Sequence, residues 1–287
     1  MAQSGNTLSR KARTYISAVA AVGLPVAAYC VFTLVKRGIP SEFFVFAILT
    51  LVSGRFTLKI PSVEAYCSPS EMFTFTNVLL FGPEAGAITL AADSLLLAWQ
   101  RKLTTAQTLF NFTNLALSVW VAGTLFFRIA GISPLFATEI GPSSDLVLPL
   151  TVLAATYYAV NSGLTAIAIS YARKRPVLSV WREHFLWLGP GYAAGVCIAL
   201  LLVVALHQVH FGVLALIPPL LLLFYLTMRS SFGRVEDAKG HVDALNKLYL
   251  STVETLATAI DAKDEVTHGH IRRVQIGAVA LAREMGI

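Results

Sequence analysis

Two histidines, His268 and His270, follow a run of charge, Asp261-Ala262-Lys263-Asp264-Glu265, near residue 287 of the chain. A neutral imidazole carries protons and binds metals near neutral pH, so both are residues that could do chemistry. Side chains two apart on a regular helix point to different faces. The two therefore do not share one site, and His268 reads as an exposed turn residue. Arg272 and Arg273 follow, either as phosphate contacts or as solvated charges. Three further acidic residues, Glu71, Glu84 and Asp93, fall in or beside apolar runs. An intramembrane carboxylate is unfavourable unless it faces a cavity, a partner or water. Glu71 and Glu84 fall in the first turns of predicted helices, where the macrodipole favours negative charge. Asp93 lies ten residues into its segment, beyond the reach of capping, and is the stronger candidate for a ligand or proton site, with snorkelling to the interface as the alternative. His207 and His210, three residues apart, supply two metal donors without a third.

The elements that hold these residues are strongly apolar. Hydrophobic residues make up 56% of the chain and charged residues 13%, with a mean hydropathy of +0.68. This composition predicts a membrane protein rather than a soluble globule. The net charge of +6 is spread over short loops between apolar runs; the anionic inner face of a bilayer accounts for it, and no nucleic-acid polymer is implied. Cys30, Cys67 and Cys197 are scattered, without metal-binding spacing, and read as packing residues.

Gly, Pro and charge divide the apolar portion into eight candidate helices: 15–35, 43–53, 69–81, 83–99, 109–127, 146–172, 186–206 and 211–228. The second, third and fourth are short for full spans of a hydrocarbon core about 30 Å thick. Ser68-Pro69-Ser70-Glu71 has capping-box spacing with Pro at the first helical position. Gly82-Pro83 separates the third and fourth runs and predicts a helical hairpin that protein or a cavity must surround. If all eight runs cross, eleven Lys and Arg residues fall in inner loops and three, Lys36, Arg37 and Arg128, outside. That bias places both termini in the cytoplasm. Asn111 and Asn114, and Asn161 with Ser162, read as hydrogen-bonding glue between helices. Pro218-Pro219 predicts a kink in the last run.

Past Met228 the composition changes. Val235, Ala238, Val242, Leu245, Tyr249, Thr252 and Leu256 recur at alternating steps of three and four, about three heptads of a coiled-coil seam. With Ala and Thr in the seam, it predicts a marginal homodimeric stalk through residues 235–256, with a plain amphipathic helix as the alternative.

The tail is more specific. A-I-D-A-K-D (259–264), T-H-G-H-I-R-R-V (267–274) and L-A-R-E-M-G-I (281–287) resemble the opening two helices of an HD-GYP phosphohydrolase domain, with Asp261 where that family usually has Glu. The resemblance covers Glu254 to Ile287. It implies that His270 is the first ligand of a site for two iron or manganese ions, Val266 standing where a subset of the family places a glutamate for a third. It also implies that cyclic di-GMP is the substrate of the full-length family. The HD dipeptide, later histidines and GYP segment are not among these residues, so this chain is expected to stop inside its output domain and to be inactive on its own.

Residues 40 to 130 resemble, more loosely, the membrane-associated sensor domains found ahead of bacterial HD-GYP and GGDEF outputs. The resemblance lies in an I-P segment, an S-x-S-E helix start, an F-G-P-E-A-G turn and an aspartate about one helix later. The organisation expected is a tail (1–14), an all-α polytopic transmembrane bundle of about eight helices (15–228), a signalling helix (229–252) and the start of an HD-GYP domain (253–287). The function expected is a multi-pass sensor in the bacterial inner membrane. A secondary transporter with broken helices, or a sensor coupled to an HD hydrolase of another nucleotide, stays open beside it.

Overall fold

The computed structural model describes residues 9–56, 58–59, 66–67, 69–136, 143–208, 226–227, 230, 240–259 and 270–286. These residues are almost wholly helical. Helices α1 (Arg10–Arg37), α2 (Ser41–Ser53), α3 (Ser70–Phe81), α4 (Pro83–Gln100), α5 (Thr105–Ala130), α6 (Val147–Arg173), α7 (Val177–His184) and α8 (Gly189–Gln208) belong to a first compact unit, Met1–Met228. A second unit, Arg229–Ile287, contains α9 (240–259) and α10 (His270–Glu284). The described strands are two residues each, Leu58–Lys59 paired antiparallel with Tyr66–Cys67. Among the described residues, four helices are long and apolar enough to cross a membrane: α1, α5, α6 and Gly189–Leu206 of α8. That marks a membrane protein.

The first unit is organised around a helix too short to span. At 1.5 Å per residue, α2 and α3, with 13 and 12 residues, are roughly 18–20 Å long, against a hydrocarbon core of roughly 30 Å. Such ends are tolerated where protein covers them, and α3 is covered: Ser70 and every residue from Phe73 to Leu80 are buried. Helices α2, α4 and α8 pack around it. Phe46, Phe73, Phe75, Leu79, Phe126 and Tyr157 are the large members of the surrounding core. Between α3 and α4, Gly82 takes φ 101, a left-handed value that favours glycine, and Pro83 starts α4. The predicted hairpin is present.

Alternation of the helices gives the unit two ends. Ser9 Oγ donates to the carbonyl of Tyr171 at 2.9 Å, joining the start of α1 to the end of α6. At the other end Arg37 Nη1 reaches Glu84 Oε2 at 3.3 Å, joining the end of α1 to the start of α4.

Several expectations change. Helix α3 begins at Ser70 rather than Pro69, and its N-cap, Pro69, has no side chain that accepts a hydrogen bond; Ser68 lies outside the described residues. Helix α7 occupies a stretch read from sequence as a loop. Cys197 is exposed on α8 rather than packed, while Cys30 is buried and both are free. The last apolar run, 211–228, with Pro218-Pro219, falls almost entirely outside the described residues.

Candidate functional site: a carboxylate pair inside the bundle

The short helices determine where the site forms. Ser70 begins α3 and Gly54 follows α2, while Asp93 lies ten residues past Pro83, about 15 Å along α4. These three meet. Asp93 is 8% exposed and its carboxylate accepts a hydrogen bond from the Ser70 hydroxyl. The same carboxylate packs so closely on Gly54 that a Cβ there would overlap it. Glycine at 54 thus makes room for the acid.

Glu71, the next residue of α3, is half-buried and faces α6. It accepts a hydrogen bond from the Tyr157 hydroxyl. Its charge also lies close enough to that of Asp93 for the two to interact. Among the described residues, no Lys, Arg or His forms an ion pair with either. Two carboxylates in a water-poor site repel unless a proton or a cation comes between them. With the hydroxyls of Ser70 and Tyr157 beside them, the donor set is all oxygen, suited to a proton, a hard monovalent cation or the N–H or O–H of a ligand.

Tyr157 extends the site across the bundle. Asn161 Nδ2 donates to Tyr157 Oη at 3.5 Å, and Asn114 Nδ2 donates to Asn161 Oδ1 at 2.8 Å and to Thr165 Oγ1 at 3.2 Å. Ser118 Oγ closes the chain on Asn114 Oδ1 at 3.3 Å. One polar path therefore links α3, α6 and α5 through apolar surroundings. Aromatic edges hold its centre: Phe75 and Tyr192 both meet the Tyr157 ring at 5.2 Å between centroids.

The residues singled out from sequence separate into groups. Asp93 and Glu71 come together, and Glu71 is bonded to a neighbouring helix rather than only lying in a helix first turn. Glu84 does not join them: it is 5% exposed and held by Arg37 near the start of α4. Asn114 and Asn161 bond each other, whereas Ser162 accepts from Trp181 Nε1 of α7 at 2.9 Å. His270 starts α10, but its side chain, like 261–269 and the His207 and His210 pair, lies outside the described residues. No group of three or more His, Cys, Asp or Glu comes together among the described residues. One histidine does not hold two metal ions, and no catalytic step can be derived from it. Sequence reading missed Tyr157 and Tyr192. A tyrosine mid-span needs a partner for its hydroxyl, and Tyr157 lies four residues before Asn161, so a signal was there.

Comparisons with protein-family models, with curated proteins and with solved structures find no match to this chain.

Proposed function

We propose that the chain is the membrane sensor and the opening output helices of a bacterial HD-GYP signalling protein. In this reading the first unit spans the inner membrane with both termini cytoplasmic. Its carboxylate pair registers the cue, and α9 passes the change to the output as a homodimer. Whether α2 and α3 both cross or re-enter as a pair, they add an even number of crossings and leave the orientation of the later helices unchanged. His270 would contribute one ligand to two iron or manganese ions, once the later segments of an HD-GYP domain complete the site for cyclic di-GMP.

The observation that supports this most is the bare apolar stripe of α9. Val242, Leu245, Tyr249 and Leu256 are all exposed within their unit, and their spacing is that of a coiled-coil seam. A second copy of the same helix would cover them. Cysteines at 245 and 249, introduced one at a time into a cysteine-free chain, are expected to cross-link between copies in membranes. A cysteine at Lys247, on the outer face of that seam, is expected not to. Equal cross-linking at all three positions, or none, defeats the stalk and with it this reading.

A transporter is the second reading, favoured by half-length helices that end beside a carboxylate. It requires cation flux through proteoliposomes that stops in Asp93→Asn.

A further inference from the structure

We propose that the Arg37 end of the bundle has a second site, distinct from the carboxylate pair, which binds a small lipophilic carboxylate. A pocket of about 280 Å³ opens there, lined chiefly by Leu34, Phe43, Leu80, Phe81, Pro134 and Phe136. It lies near the lower end of the roughly 300–1,000 Å³ typical of small-molecule sites. Its walls are aromatic and already fixed: Phe81 meets Phe136 at 5.1 Å and Phe43 at 5.9 Å between centroids. The loop that supplies Pro134 and Phe136 is tied down by its backbone. Leu135 N–H donates to the Leu79 carbonyl at 2.9 Å and Phe136 N–H to that of Leu80 at 3.1 Å, satisfying carbonyls at the end of α3. A preformed pocket loses little entropy on binding.

Arg37 lines the same pocket and gives it a sign. The side chain is 57% exposed, and a single nitrogen, Nη1, reaches Glu84 at 3.3 Å. A guanidinium has five N–H donors in a planar fork, so one monodentate contact leaves most of that capacity for a ligand. A ligand with an apolar body for the phenylalanines and a carboxylate for Arg37 satisfies both halves of the pocket. Glu84 is an internal competitor for the same cation, which makes the charge dependence two-sided.

The test uses the full chain in phosphatidylcholine nanodiscs with 4-phenylbutyrate and its neutral amide, followed by saturation-transfer NMR against empty nanodiscs. The acid is expected to bind saturably and at least about tenfold more tightly than the amide, as befits a charge-assisted contact. Arg37→Gln is expected to bring the acid down to the level of the amide. Glu84→Gln, which releases the guanidinium, is expected to tighten the acid several-fold and leave the amide unchanged, a gain that misfolding cannot produce. Equal binding of acid and amide, indifference to Arg37→Gln, or weaker acid binding in Glu84→Gln each overturns the proposal. Loss of acid binding when phosphatidylglycerol replaces phosphatidylcholine also overturns it, because a lipid headgroup would then be the occupant.

Discussion

A methyl group at position 54 would overlap the Asp93 carboxylate, so Gly54→Ala forces either the α2 end or the acid to move. Overpacking of this kind typically costs about 1–3 kcal/mol. The loss is expected to be smaller in an Asp93→Ala background, where the space is empty, with a coupling of about 1 kcal/mol between the two substitutions. Thermal unfolding of the four proteins in one detergent measures it; strict additivity would mean that the carboxylate is not seated on Gly54. Tyr157 has the opposite character, since its hydroxyl serves two neighbours at once. Tyr157→Phe keeps the ring contacts with Phe75 and Tyr192 but removes the donor to Glu71 and the acceptor from Asn161. Hydrogen bonds in membrane bundles average about 0.6 kcal/mol, with a maximum near 1.7. A loss of about 1–2 kcal/mol is therefore expected for the two together, and an unchanged midpoint would show that the hydroxyl carries no structural load.

Helix placement was legible where hydrophobicity decides it and less so where hydrogen bonding does. Apolar runs located α1 to α6 and α8, yet several helices continue past the apolar residues, because interfacial polar side chains do not stop the backbone ladder. Helix α5 is the instructive case. It was expected from Leu109 but starts at Thr105, behind a full capping box in which Gln107 N–H donates to Thr104 Oγ1 and Gln107 Oε1 accepts from Thr104 N–H. That T-x-x-Q was readable. Helix α7 was missed because charge surrounds it, although Val180, Trp181 and His184 mark one face at helical spacing. Val180 is fully buried, the Trp181 ring lies 5.8 Å from that of Tyr158, and Tyr158 Oη donates to the Phe185 carbonyl at 3.1 Å. The carboxylate pair was half legible. Glu71 and Asp93 stood out as charges in apolar runs, but only the packing of α3 against α4 and α6 showed that they share a site. Since Trp181 joins α7 to α6 through both its ring and its Nε1, Trp181→Ala is expected to free α7 and open the 177–184 backbone to proteolysis while leaving α1 to α5 protected. Unchanged cleavage would show that Val180 alone holds the helix.

At the scale of the whole first unit, the ends differ in charge. Arg10, Lys11, Arg13, Arg101, Lys102, Arg173, Lys174 and Arg175 belong to the end where α1 starts and α6 finishes, whereas Lys36, Arg37 and Arg128 belong to the other. Positively charged loops are retained on the cytoplasmic side during insertion, so the Arg10 end is expected to face inward. The pocket beside Arg37 would then open outward, and Asp93, level with the inner ends of α2 and α3, would sit nearer the cytoplasm. Thiol labelling of intact cells decides this. In a cysteine-free chain, Ser41→Cys at the exposed start of α2 is expected to react with a membrane-impermeant maleimide. Thr105→Cys, exposed at the start of α5, is expected to react only after the cells are opened. The reverse pattern inverts the molecule and places the lipophilic-acid pocket on the cytoplasmic side. Labelling of both positions in intact cells removes the premise that a membrane separates them, and with it the reading of α1, α5, α6 and α8 as spans.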